Sequence, residues 1–373
     1  MIYFDNAATG GFKVNAAISA ATGVIKFLSA NPGRSGHRLS VTGAKIVSDC
    51  RNVLSVAFDC DPSRVIFTKN CTEALNTAIL GGIKGGRVLT TFLEHNSVLR
   101  PLFHLQKQGK ITLEILSPDG LIAALKDSAG VSAVVITAAS NVTGEILPVE
   151  KIGALAREKN ALFIVDGAQG GGHIPLKVKA YGISCLALAG HKGLGGIMGS
   201  GVLLLNDGVE ISPLMFGGTG TDTFLTDMPS LYPERLESGT LNLPAIASLL
   251  EGVRHTANNL SHIAKTLTTY TERLIAGLKK IPDVTVYSAP NPVGIVSFDL
   301  KNYSSEEVAD ILNTRFDVAV RGGFHCAPKT HEFLKTENAG LIRVSLAVQN
   351  SSYEIDYLVK AISTLSAESR LPL

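Results

Sequence analysis

Two short apolar runs, each cut off by polar residues able to do chemistry, constrain this chain more than any other feature. Ala161-Leu-Phe-Ile-Val165 ends at Asp166-Gly-Ala-Gln169, and Leu186-Ala-Leu-Ala189 ends at Gly190-His191-Lys192. Continuous apolar runs between glycine-containing turns read as strands buried on both faces, as in a parallel sheet covered by helices. Ligands of open α/β sheets bind beyond the carboxyl ends of the strands, where Asp166 and Lys192 fall. Either residue alone has an ordinary use, the Asp as a helix cap and the Lys as a solvated surface charge. Delivered together to one edge, they suit pyridoxal 5'-phosphate. The lysine condenses with the aldehyde, and the carboxylate holds a proton on the pyridine nitrogen so that the ring can take up electrons.

The rest of the chain alternates strand and helix patterns. Val65–Thr68, Arg87–Leu93, Ser132–Ala139 and Val202–Leu205 read as strands, and Thr42–Phe58, Ala74–Leu80 and Ile152–Lys159 as helices. At 373 residues the chain exceeds one minimal domain. The pattern predicts a large α/β domain over 13–255 with a mostly parallel, seven-stranded-type sheet. A smaller α+β domain follows over 256–373, joined by the N-terminal segment 1–12. An amphipathic helix over His262–Ile281, with Ile263, Leu267, Tyr270, Leu274 and Leu278 on one face, is the expected hinge. Beyond it come a strand at Gly294–Asp299 and a helix opened by the capping box Ser304-Ser-Glu-Glu307. Strands at Val318–Arg321 and Leu341–Leu346 and a last helix at Ser352–Thr364 complete the reading.

Composition narrows the function classes. Apolar residues make up 45% and charged residues only 18%, against roughly 25% charged in ordinary soluble chains. That balance implies a large buried core and further burial by dimerisation. No apolar stretch approaches the ~18 residues of a membrane span. Met1-Ile-Tyr-Phe-Asp5 carries neither a basic region nor a hydrophobic leader, so the chain is expected in the cytoplasm. A net charge of +2 and the lack of a basic stripe argue against nucleic acid. Cys50, Cys60, Cys71, Cys185 and Cys326 are scattered without CxxC spacing, which points to neither a disulfide framework nor a metal site. The run Gly193-Leu-Gly-Gly-Ile-Met-Gly-Ser-Gly201 lacks Gly-Lys-Ser/Thr and leads into a strand, so it is not a phosphate loop of the nucleotide-binding kind.

Asp166-Gly-Ala-Gln169 with Gly190-His191-Lys192, the lysine 26 residues after the aspartate, resembles the class V aminotransferase-like enzymes of PLP fold type I. Arg321-Gly-Gly-Phe-His-Cys-Ala-Pro328 narrows the resemblance to the Suf-type (group II, NifS-like) cysteine desulfurases, whose Arg-x-Gly-x-His-Cys-Ala pattern positions 321–327 match. Similar matches are Asp5-Asn-Ala-Ala8 at the site mouth, Arg34 and His37, Glu94-His95, Glu237-x-Gly-Thr240-x-Asn242 and the strand bearing Arg343. The resemblance implies conversion of L-cysteine to L-alanine, with a persulfide on Cys326 passed to a sulfur-acceptor protein for iron–sulfur cluster biosynthesis. Lys192, Cys326 and His95 would do the chemistry, with His95 flat over the cofactor ring. Cys71, Thr72, His95, Asn141, Asp166, Gln169, His191 and Lys192 would hold the cofactor, the phosphate lying at the helix start after Asn70. Thr240 would reach the cofactor of a neighbouring subunit, making a homodimer part of the site. Arg343, Asn141, Arg321 and Ala8 would receive the substrate.

Four positions depart from the family pattern. Gly33 stands where a histidine is usual, Cys71 replaces a hydroxyl residue, Ala189 replaces a frequent serine, and Phe324 replaces a frequent second histidine. The last leaves His325 as the expected local base for Cys326. A selenocysteine lyase or another class V aminotransferase would use the same lysine and aspartate. A non-catalytic scaffold on the same fold would need neither Lys192 nor Cys326.

Overall fold

The computed structural model describes residues 1–127 and 130–368. Its strands are β1 (Ile2–Tyr3), β2 (Val65–Thr68), β3 (Gly86–Thr91), β4 (Ile111–Leu116), β5 (Val131–Thr137), β6 (Leu162–Asp166), β7 (Cys185–Ala189) and β8 (Gly201–Leu205). Four more follow: β9 (Val284–Val286), β10 (Ile295–Leu300), β11 (Val318–Ala319) and β12 (Ile342–Ser345). Seven strands form the main sheet in the order β2-β8-β7-β6-β5-β3-β4. The five from β3 to β7 run parallel, while β8 is antiparallel to both its neighbours.

The apolar runs explain this sheet. Side chains alternate across a strand, and in β6 Phe163 and Val165 enter one core while Ile164 enters the other. Full burial of each such side chain contributes about 1.5–3 kcal/mol. The pairings Thr137 with Asp166 and Asp166 with Ala187 bring the carboxyl ends of β5, β6 and β7 level. The site residues are carried on the segments that leave this edge.

A third core gathers residues of the C-terminal part around the three-stranded antiparallel sheet β12-β10-β9. Phe4 lies in it, and β1 pairs in parallel with β11, so the N-terminal segment is woven into the C-terminal part. The capping box forms, with Glu307 N–H donating to Ser304 Oγ at 3.2 Å and Ser304 N–H to Glu307 Oε2 at 2.7 Å. Of the expected domain, residues 369–373 lie outside the described residues.

Three elements differ from their sequence reading. The expected hinge helix is the second half of one continuous helix of 36 residues, Leu243–Leu278, and the expected boundary at 255/256 falls inside it. Pro244 sits in the first turn, where its missing N–H costs no intrahelical bond. The expected strand Val318–Arg321 shrinks to two residues, and Arg321 makes an isolated bridge with Arg343 instead. A helix over Asn96–Lys107 accommodates Pro101 in its interior.

Candidate active site

A cavity opens at the carboxyl edge of the sheet, lined by the few convergent polar groups that mark small-molecule sites. Its walls include Cys71, Thr72, His95, Asn141, Asp166, Gln169, His191 and Lys192. Every expected cofactor residue except Thr240 is therefore in one place.

Asp166, the last residue of β6, is 3% exposed. Its Oδ1 accepts the N–H of Ala168 at 2.8 Å and the thiol of Cys71 at 3.6 Å, which fixes the carboxylate on the cavity floor. Lys192 stands in the turn after β7, and Gly190 makes that turn possible because a Cβ there would collide with Ser200. Among the described residues the Lys192 amine has no hydrogen-bond partner. Burial lowers its pKa, and Asp166 opposes that shift. A partnerless amine whose charge burial disfavours, beside a fixed carboxylate, fits an aldehyde cofactor with a basic ring nitrogen.

The opposite end of the cavity fits a phosphate. Asn70 caps the helix Cys71–Gly82 by accepting the N–H of Glu73 at 2.9 Å. The helix start at Cys71 and Thr72 faces the cavity with its partial positive charge. Hydroxyls continue this lining, with Thr72 Oγ1 2.8 Å from Ser97 Oγ and Ser97 Oγ 2.9 Å from His95 Nδ1. His95 caps the helix Asn96–Lys107, its Nδ1 accepting the N–H of Ser97 at 3.0 Å. Burial lowers the His95 pKa, and the cations Lys192, Arg321 and Arg343 lower it further against the pull of Asp166. The ring is accordingly neutral with its proton on Nε2. His191 shares its Nδ1 with Thr9 Oγ1 at 3.0 Å, and burial brings its pKa down to about 4.

The residues expected to receive the substrate lie at the junction with the C-terminal part. Arg343 is 1% exposed; its Nη2 donates to Asp5 Oδ1 at 2.9 Å and its Nη1 to the carbonyl of Asn141 at 3.1 Å. Among the described residues its Nε is buried without a partner. Arg321 has no ion pair among the described residues, and its charge is felt at Lys192 and His95. Asn141 and Gln169 are occupied by protein groups, Asn141 Nδ2 donating to the carbonyl of His325 at 2.7 Å and Gln169 Nε2 to that of Ala7 at 3.0 Å. Ala8 belongs to the segment laced to the Lys192 turn but does not line the cavity.

Cys326 is the one exposed cysteine, the other four being buried. Its carbonyl accepts the N–H of Asn96 at 2.7 Å, one residue from His95. His325 is not the local base that the sequence suggests. Its ring is 3% exposed, Nε2 donates to the carbonyl of Leu341 at 3.0 Å, and burial drives its pKa down to about 2. Thr240 is exposed and stands away from the cavity of its own chain. Glu237 of the same segment is moored inward, pairing with Arg51 at 2.7 Å and accepting the N–H of Phe67 at 2.6 Å.

Sequence reasoning missed Asp5 as the partner of Arg343, Ser97, and Glu94. Ser97, two residues past a strand-end histidine, had a signal as a first-turn hydroxyl. Glu94 is fully buried; its Oε1 accepts from Thr91 Oγ1 at 2.5 Å, and burial pushes its pKa up to about 8. Lys13, also missed, donates to the carbonyls of Gly10 and His191 at 2.7 and 2.9 Å.

The fold and the acid–amine cavity define a pyridoxal-phosphate enzyme of the fold type I class. The Aminotransferase class-V family matches residues 2–358, and the chain belongs to that family. It is 32% identical over 382 residues to a probable cysteine desulfurase of Pyrococcus abyssi, covering 98% of this chain and 94% of the relative. Identity to a probable cysteine desulfurase of Methanothermobacter thermautotrophicus is 30% over 380 residues, with the same coverage. The apo structure of a cysteine desulfurase from Thermococcus onnurineus NA1 superposes with a TM-score of 0.89 at 29% identity, covering 98% of this chain and 95% of that one.

Proposed function

We propose that this chain is a cysteine desulfurase that takes sulfur from L-cysteine, releases L-alanine and carries the sulfur as a persulfide on Cys326. The bond between Asn96 N–H and the Cys326 carbonyl supports this most directly, because it holds the nucleophile's loop against the residue next to His95. Bound pyridoxal 5'-phosphate supplies an aldehyde for Lys192 and an electron sink for the substrate's α-carbon. Asp166 would hold its ring nitrogen, and Thr72, Ser97 and the helix start at Cys71 its phosphate. Asn141, Gln169 and His191 complete the cofactor contacts in this reading.

Lys192, whose pKa burial lowers, takes the α-proton. Arg321 and Arg343 receive the substrate carboxylate, with Asn141 and the Ala8 segment closing around it. The Cys326 thiolate attacks the substrate sulfur: an S–S bond forms as the C–S bond breaks. The bond's electron pair goes to the carbon skeleton, which is protonated and leaves as alanine. His95, neutral and beside the reacting centre, is placed to move that proton.

Thr240 projects from its own chain, and Phe216, Phe224, Leu225 and Leu231 of the preceding segment are exposed. Both features support a homodimer in which Thr240 reaches the neighbouring cofactor. The division into 13–255 and 256–373 remains our reading of the domains. The sulfur acceptor is a protein serving iron–sulfur cluster assembly in the cytoplasm. Among the described residues no helix is long and apolar enough to cross a membrane. Purified enzyme given L-cysteine should yield alanine and a Cys326 persulfide together; keto-acid exchange without persulfide would make it a transaminase instead.

A further inference from the structure

The residues at positions 325 and 326 have consecutive left-handed backbones, with φ of 50° and 58°. Neither is glycine, so the conformation must be held from outside. The Ala327 N–H closes the turn on the Phe324 carbonyl at 3.0 Å, and three further contacts hold residues 325 and 326 themselves. Asn141 Nδ2 donates to the His325 carbonyl at 2.7 Å, Asn96 N–H donates to the Cys326 carbonyl at 2.7 Å, and the buried His325 ring donates from Nε2 to the Leu341 carbonyl at 3.0 Å. The first two come from the far side of the cleft. The third ties the turn to its own part of the chain through a side chain, since Leu341 leads into β12 and Arg343; beside it the Leu341 N–H donates to the Gly323 carbonyl at 3.0 Å. With the His325 side chain drawn inward, that of Cys326 is left exposed.

We propose that His325 is a positioning residue for Cys326: its inward N–H bond to Leu341 fixes the turn that presents the thiol, and the imidazole takes no part in proton transfer. This rests on the desulfurase reading and assigns to that site a residue outside the reaction itself. The bond fixes the tautomer, because a carbonyl needs the proton on Nε2. Nδ1 is then an acceptor, buried with no partner among the described residues. The charged or titratable groups around the ring are Arg343, Arg321 and His331, its ring centroid 6.0 Å away. Burial first, and then the two arginines, oppose any added positive charge, so the anchor stays neutral across the working pH range.

The test compares His325→Gln with His325→Ala in the holoenzyme. A glutamine amide can donate where Nε2–H stood but cannot titrate. His325→Gln should keep kcat within about threefold of wild type with an unchanged pH profile, whereas His325→Ala should lose about 100-fold in kcat at unchanged KM. Amide exchange at Asn96 and over residues 323–327 should quicken at least tenfold, roughly, in the alanine variant and stay at the wild-type rate in the glutamine variant. Retained cofactor absorbance shows that both variants fold. A glutamine variant as impaired as the alanine one, or an alanine variant with wild-type kcat and exchange, overturns the proposal. If wild type forms no persulfide, the desulfurase reading falls while the exchange comparison still decides the anchoring.

Discussion

The main-chain N–H of Asn96 donates to the carbonyl of Cys326 across 2.7 Å, joining the residue after His95 to a turn 230 positions further along the chain. The Cys326 turn and the cavity wall are thus fastened by backbone, a contact that no substitution short of proline at position 96 removes. Its consequences are best tested by separating the amine from the thiol.

Replacing Lys192 with Ala removes the partnerless amine of the cavity. The purified variant should lack the visible absorbance of bound cofactor, and alanine formation should fall by at least about 10²–10⁴. Absorbance spectra and amino-acid analysis read both.

Cys326→Ser leaves the cavity untouched, because the Cys326 side chain is exposed and the backbone makes the contact. Its cofactor spectrum and thermal midpoint should match wild type while persulfide, followed by mass spectrometry, disappears. Full sulfide release from L-cysteine by this variant would refute the role of Cys326.

Glu94 gives the stability curve a definite sign. Its folded pKa is raised to about 8, so the folded state holds a proton that the unfolded chain releases near pH 4.5. The stabilisation from that proton is fully present below pH 4.5 and is lost as pH rises through about 8. Glu94→Gln should flatten this part of the denaturant-derived stability profile, by a few kcal/mol, as an order of magnitude, between its ends.

Asp5→Ala should leave the buried Arg343 charge without its carboxylate and cost about 3 kcal/mol, while Asp5→Asn keeps an acceptor and should cost less. Urea unfolding of the two variants measures the difference. Added carboxylate anions should restore part of the alanine variant's loss.

Thr240→Ala should weaken cofactor binding about tenfold, the value of one hydrogen bond to a charged group, without lowering subunit stability. Equilibrium dialysis of pyridoxal 5'-phosphate measures it. Unchanged affinity would remove Thr240 from the site.

Much of this molecule is legible in its sequence because strand ends carry chemistry. Asp166, Lys192, Asn141 and His95 all follow apolar runs, and parallel pairing makes those ends converge whatever lies between them. The residue types at Arg321, His325 and Cys326 were also readable, but not their orientation. Two consecutive left-handed residues reverse which side chain faces inward, and no pattern of polarity encodes that. Pro101 hid the helix Asn96–Lys107 by interrupting a helical pattern that tertiary packing restores. The Asp5–Arg343 pair spans 338 positions and is a product of the N-terminal segment's place beside β12, visible only in three dimensions.

The helix Leu243–Leu278 gives Leu249 and Val253 to the sheet's core and Leu267 and Leu274 to the C-terminal one. Melting either core would strip packing from a rod that the other needs. The two halves should therefore share one thermal fate, lost together in a single calorimetric transition instead of dissolving in turn.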